Sequence, residues 1–239
     1  MTHIINGLLV RNDRKLRMLK SFLVALLGMG PMMAGAQSFS VPEGCTGVLT
    51  VQHKSCVLIN VWQCDADAEG DKWLAMIGEA GVFSVQHVDR EFQWIETFKT
   101  TGTESLEQPA PDAASVTELL ATGIDTWEFA MKTPDGKERN VGFDTLTGLD
   151  VVIDGEPLLE TEFRGKTINA DGVEIEDGAG RQYISVKHRL FFWGQNWNPA
   201  TPDDVVDLSP VEFIYPDEDG FFSQNPKFEC GVIESRFVR

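Results

Sequence analysis

Beyond its first three dozen residues the chain alternates short apolar or aromatic runs with Gly, Asp and Asn, and inside each run apolar and polar side chains alternate. A period of two sends successive side chains to opposite faces of a strand, so the pattern predicts antiparallel strands joined by turns. Strands are expected at TGVLTVQ, SCVLINVWQC, DKWLAMIGE, VFSVQHV, EFQWIETF, DTWEFAMK, ERNVGFDT, DVVIDG, LLETEFRG, GVEIED, RQYISV, RLFFWG, PVEFIYP and GVIESRFV. Turns are expected at Glu79-Ala80-Gly81, at Thr133-Pro134-Asp135-Gly136 and at Asp171-Gly172. One segment has helical spacing instead. In AASVTELLATG, Val116, Leu119 and Leu120 share a face, Asp112 or Ser115 can cap the start, and Gly123 ends the run. The stretch TTGTESLEQPAPDAAS reads as a loop leading into that helix. The fold class is therefore mainly β: antiparallel strands forming a curved sheet, half-barrel, barrel or sandwich with one short helix.

The first 36 residues follow a different pattern. Arg11, Arg14, Lys15, Arg17 and Lys20 form a basic segment, SFLVALLGMGPMMAG an apolar one, and Ala34-Gly35-Ala36 a small-residue site before Gln37. That order is the order of a cleavable secretory signal, with the cut expected after Ala36. Met18 opens a compact signal by itself, so translation is expected to start there. Gly28, Gly30 and Pro31 interrupt the apolar run, which leaves it short of the ~20 residues of a spanning helix. Residues 37–239 are then a single β-rich domain with no membrane span, and a periplasmic or secreted location is expected.

Four cysteines follow the signal: Cys45, Cys56, Cys64 and Cys230. An even number in an exported chain predicts two disulfides. If SCVLINVWQC is one strand, Cys56 and Cys64 stand about 26 Å apart at about 3.3 Å per residue, beyond bonding reach. Two schemes survive: Cys45–Cys64 with Cys56–Cys230, or Cys45–Cys56 with Cys64–Cys230. A hairpin folding back at Lys54-Ser55 favours the first, and both tie the end of the chain to the first hairpin.

The formal net charge is −17, and without the first 36 residues 15 basic side chains would face 36 acidic ones, a balance of −21. Such a surface repels phosphate backbones and anionic lipid, which argues against nucleic-acid partners. The chain has no G-x-S-x-G elbow, H-E-x-x-H pair, phosphate-binding glycine loop or nucleotide fingerprint. No catalytic residue and no cofactor is assigned on this basis, and a non-catalytic role is expected.

The segments GCTGVLTVQHKSC, VWQC, FQWIETF, DTWEFAMK, GFDTLTG, DVVIDGEPLLETEF and RQYISVKHRLFFWG together resemble a family of uncharacterised exported proteins of alphaproteobacteria, over nearly the whole region after the signal. That resemblance implies export but no activity. The succession of strands and the IDGEPLL hairpin also resemble curved-sheet periplasmic proteins of the lipoprotein-carrier kind, which implies a ligand groove.

Four groups of residues are candidates for function. Trp62, Trp73, Trp94, Trp127, Trp193 and Trp197 could line a groove for an apolar small ligand or for an envelope protein, or could simply fill a core. His53, His87 and His188, in TVQHKS, SVQHVD and SVKHRL, could converge on zinc or copper, making a metal-binding protein or a metal-dependent enzyme; each also suits a solvated strand edge. Asp65, Asp67, Glu69 and Asp71 resemble the front half of a calcium loop, but its twelfth position is Met76 rather than an acid, so a hairpin turn is the better reading. Phe191, Phe192, Trp193 and Trp197 beside Asn196, Asn198, Asp203 and Asp204 have the composition of a sugar site or of a core strand followed by a polar turn. A purely structural secreted protein is the remaining alternative.

Overall fold

The computed structural model describes residues 40–231. These residues form the strands β1 (Cys45–His53), β2 (Val57–Cys64), β3 (Lys72–Gly78), β4 (Gly81–Val88), β5 (Trp94–Lys99) and β6 (Gly102–Asp112), then the helix α1 (Val116–Thr122). After it come β7 (Ile124–Thr133), β8 (Gly136–Ile153), β9 (Glu156–Ile168), β10 (Glu174–Ser185), β11 (Leu190–Asn198), β12 (Thr201–Asp207) and β13 (Pro210–Ile214). The predicted signal and the predicted strand GVIESRFV, after its first residue, lie outside the described residues.

All thirteen strands belong to one antiparallel sheet in which β1 to β12 follow one another as a meander. The exception is β13, which pairs with β1, so the sheet remains open with β12 and β13 at its edges. Tight turns explain the meander. Between β8 and β9, Asp154 and Gly155 both take left-handed backbone angles, φ 50° and 80°, the conformation that a two-residue hairpin with right-handed strand twist requires.

Three sequence expectations are corrected here. GVEIED and RQYISV, expected as two strands, are joined in one, β10. ERNVGFDT and DVVIDG are one long strand, β8, because the Leu146–Asp150 stretch between them is absorbed as a bulge against β9, with Gly148 at φ 82°. The predicted loop at TTGTESLEQPAPDAAS contains β6. Its pairing with β7 is interrupted between Glu107 and Asp112, and Pro109 and Pro111 fall in that interruption, where no ladder donor is needed.

The sheet rolls until β13 lies against β8 and β11, where Phe213 donates its backbone N–H to Asp154 at 2.9 Å. Rolling brings Leu49, Val51, Ile59, Val61 and Leu74 of β1–β3 onto Leu158, Leu190 and Phe192 in one buried cluster. The alternate residues Leu159, Ile184 and Phe191 point to the other face, where they meet Val116 and Leu119 of the helix. The ends of β9 and β11 are thus covered on both sides, which is why LFFW reads as a continuous apolar run rather than an alternating one.

The helix has seven residues and depends on its surroundings for stability. Its first free N–H groups are all satisfied. Ser115 N–H reaches Asp125 (2.9 Å), Val116 N–H the carbonyl of Glu91 (3.3 Å), Thr117 N–H the Glu91 carboxylate (2.8 Å) and Glu118 N–H the Ser115 hydroxyl (3.1 Å). Gly123 closes the other end at φ 86°, as the sequence predicts. Ser115→Ala is expected to lower the unfolding free energy by about 1 kcal/mol. Urea denaturation followed by far-ultraviolet dichroism measures the loss, and an unchanged midpoint would mean that Glu91 and Asp125 hold the helix start without Ser115.

Both disulfides form, Cys45–Cys64 across β1 and β2 and Cys56–Cys230 across 174 residues. Cys230 lies near the end of the described residues. It ends an irregular strap, residues 216–231, that crosses the back of the first hairpin. Three buried polar side chains receive the strap's backbone. Thr50 Oγ1 accepts from Phe222 N–H (2.8 Å), and Asn60 Nδ2 donates to the Ser223 carbonyl (2.8 Å). Gln52 bridges the Asn225 carbonyl (3.2 Å) and Lys227 N–H (3.0 Å).

Candidate functional site

The two faces of β2–β4 have different fates. Ile59, Val61 and Leu74 turn into the core, while Trp62, Trp73, Ala75 and Val85 turn outward. The strap covers the outward face only in part: Phe222 packs edge-on against Trp62, with ring centres 6.3 Å apart. Beyond it a groove of about 600 Å³ opens, lined by Trp62, Trp73, Val85, Phe98 and the Cys45–Cys64 disulfide, with Glu43, Asp65 and Asp67 at its margin.

Strand register builds the floor. Trp62 is opposite Trp73, and Trp73 is opposite His87, so three flat rings stand side by side across β2, β3 and β4. The indoles lie nearly parallel, at 11° and 6.2 Å between centres, and the imidazole lies 5° from the Trp73 plane at 4.4 Å. The acidic β2–β3 turn fixes them. Asp67 accepts from Trp73 Nε1 at 2.7 Å and Asp71 pairs with His87 Nε2 at 3.1 Å. Two carboxylates of the supposed calcium loop are therefore spent in orienting rings.

Of the six tryptophans proposed for a groove, Trp62 and Trp73 meet in one. Trp94 is exposed and stands edge-on to Phe129. Trp127 lies over Gly142 and Gly165, whose missing Cβ atoms leave room for its ring, and donates Nε1–H to Asp144 at 2.9 Å. Trp193 packs near His53, and Trp197 is opposite Ala179 on β10. The aromatic run of β11 is not one surface either, because Phe192 enters the main core while Phe191 packs toward the helix.

The three histidines occupy three separate settings. His53 is fully buried, with Nδ1 donating to the Leu208 carbonyl at 2.6 Å and Nε2 lacking a partner. Burial pushes its pKa down to about 4 against the opposing pull of that carbonyl, so the ring is neutral. His87 belongs to the groove wall. His188 lies behind β10, 3.1 Å from the Tyr215 hydroxyl, and burial lowers its pKa although Glu156 works in the other direction. Among the described residues, the one cluster with geometry for a metal is Cys56, Glu79 and Cys230, whose two sulfurs form a disulfide.

A second cleft, of about 580 Å³, was not foreseen in the sequence. It is lined by Glu156, Lys187, Tyr215 and Glu218, among others. Glu156 is buried and accepts from Ser185 Oγ (2.9 Å) and from the Tyr215 hydroxyl. Burial opposes its ionisation, but these two donors, with His188 and Lys187 nearby, hold its pKa below the usual carboxylate value. The Tyr215 phenol is raised well above its ordinary value by burial and by Glu156. Ser, His and Glu are close together here without forming a nucleophile relay: the Ser185 hydroxyl is fully buried, donates to the carboxylate, and accepts from His188 N–H at 3.2 Å. The cluster locks β13 to β9 and β10.

Comparison with protein-family models, with curated proteins and with solved structures returned no match, and the chemistry of the groove is read from its own residues.

Proposed function

We propose that this chain is an exported, non-catalytic binding protein that holds an apolar small ligand in the Trp62–Trp73 groove. The observation that carries the reading is an apolar cleft of about 600 Å³ that the described residues leave open, the size range of ligand sites, floored by oriented rings beside the strap that covers part of the same face. The two disulfides fit a chain that folds outside the reducing cytosol, and the acidic composition fits a protein whose partners are not nucleic acids. A periplasmic or secreted location follows from the same reading. No helix among the described residues is long and apolar enough to cross a membrane.

Nile red, a neutral dye whose emission shifts to the blue in apolar surroundings, tests the proposal. The oxidised chain is expected to bind it at one site with micromolar affinity, and Val85→Trp, which fills the cleft, is expected to weaken binding at least tenfold, about 1.4 kcal/mol. Binding unaffected by Val85→Trp would place the dye elsewhere and sink the reading.

A further inference from the structure

We infer that the groove's ligand is an organic cation: a molecule with an apolar body about the size of two fused rings and an ammonium-type head. The inference rests on the groove being a ligand site and adds the charge of the ligand.

The margin of the groove is charged with one sign. Glu43, Asp65 and Asp67 all line it, and among the described residues no Lys or Arg does. The lysines and arginines near this face have other partners. Lys99 is bound to Glu104 at 2.6 Å, and Lys72 is buried with its ammonium on the Gly70 carbonyl at 3.0 Å. Nor are the margin carboxylates neutralised by ion pairs among the described residues. Asp67 accepts one hydrogen bond from the Trp73 indole, while Asp65 and Glu43 are exposed.

The chain itself produces this asymmetry. The N-terminal approach, Pro42-Glu43-Gly44, and the β2–β3 turn meet where Asp65 N–H bonds the Gly44 carbonyl at 3.0 Å. That bond holds the two segments together, and Glu43 and Asp65 both line the mouth. Carboxylates so placed repel one another, and a cation between them and the apolar floor relieves that repulsion while its body covers Trp73, Val85 and Phe98. An anion of the same shape would add to the repulsion. A neutral ligand would gain the floor alone.

Three probes with one flat body separate these possibilities: 1-naphthylmethylammonium, 1-naphthylmethanol and 1-naphthylacetate, each titrated calorimetrically into the full, oxidised chain. The ammonium is expected to bind about tenfold more tightly than the alcohol, with the acetate weakest. Exposed ion pairs are individually weak and screened by salt, so the preference should shrink severalfold between about 20 mM and 300 mM sodium chloride. In the double variant Glu43→Gln, Asp65→Asn, which leaves Asp67 in place, the preference for the ammonium over the alcohol should shrink severalfold, with the ammonium losing far more affinity than the alcohol. Both substitutions are at exposed positions, so folding is not at risk.

Equal affinity for all three probes overturns the cation inference and leaves the apolar groove standing. Failure of all three to bind overturns both. A cation preference undiminished in the double variant places the responsible charges elsewhere on this acidic chain and also overturns the inference.

Discussion

Replacing Cys56 and Cys230 together by serine is expected to cost the fold on the order of 5 kcal/mol, a large fraction of the roughly 5–15 kcal/mol that a domain has to lose. The bond closes a loop of 174 residues, nearly all of the described chain, and so restricts the unfolded state far more than the Cys45–Cys64 bond with its separation of 19. The same change at Cys45 and Cys64 is expected to cost roughly 3 kcal/mol. The local consequences differ more. Cys56 has φ 57°, a left-handed angle unfavourable for a side chain, and is held there by its sulfur bond and by donation of its N–H to the Phe228 carbonyl at 2.8 Å. Without the bond the strap frays from its end. Thr50, Gln52 and Asn60 then lose the backbone groups that satisfy them in a buried setting, and the cost of orphaned polar atoms adds to the entropic one. Urea denaturation of the two double-serine variants, with limited proteolysis of residues 221–231, separates the effects. Equal losses in both variants, with the strap as resistant as in the parent, would show that the strap is held by its hydrogen bonds alone.

The strap also marks the limit of what the sequence discloses. Alternation in TGVLTVQ and VLINVWQ sets Leu49, Val51, Ile59 and Val61 on the core face correctly, because burial of one face is encoded in the strand itself. By the same rule Thr50, Gln52 and Asn60 should face water, and all three are fully buried. Their polarity serves the backbone of a segment more than 160 residues away, and no local pattern carries that information. The helix and both of its caps were legible, since capping is a short-range signal. The groove was legible by halves. Trp62 and Trp73 were candidates as large aromatics on strands, but their meeting depends on the register of β2 against β3, and Phe98 joins them from a strand that its own sequence does not distinguish. The Glu156–Tyr215 cluster was invisible because it needs the sheet to roll until β13 reaches β9 and β10, and rolling is a property of all thirteen strands together.

Asp144→Asn is expected to raise stability at pH 7 by up to about 3 kcal/mol and to expose an acid sensitivity that the parent chain conceals. Asp144 is buried beneath Trp127, and burial lifts its pKa from 3.8 to about 6 despite hydrogen bonds from the Trp127 indole and from Gln182 at 2.7 Å. The folded state therefore binds a proton more tightly than the unfolded state does. Between pH 3.8 and 6 stability falls as pH rises, and above pH 6 the full cost of a buried charge is present. An asparagine in its place can still accept from Trp127 and, with the Gln182 amide turned over, donate to it. His53 works in the opposite sense. Its folded pKa of about 4 lies below the ordinary 6.5, so the unfolded state binds the proton more tightly, and stability is lost as pH falls through that window. The neighbouring Asp125, register partner of Asp144 and also raised to about 6, adds to the carboxylate side. In the parent chain these contributions oppose one another between about pH 4 and 6, and the profile should be nearly flat from pH 7 to pH 5. With Asp144 neutralised the balance shifts toward His53, so the variant should exceed the parent at pH 7, and that advantage should shrink by about 1.4 kcal/mol by pH 5. Chemical denaturation of both proteins at half-unit steps measures the two curves. Parallel curves would mean that the Asp144 carboxylate stays charged in the fold down to its ordinary pKa, and that Trp127 and Gln182 fully compensate its burial.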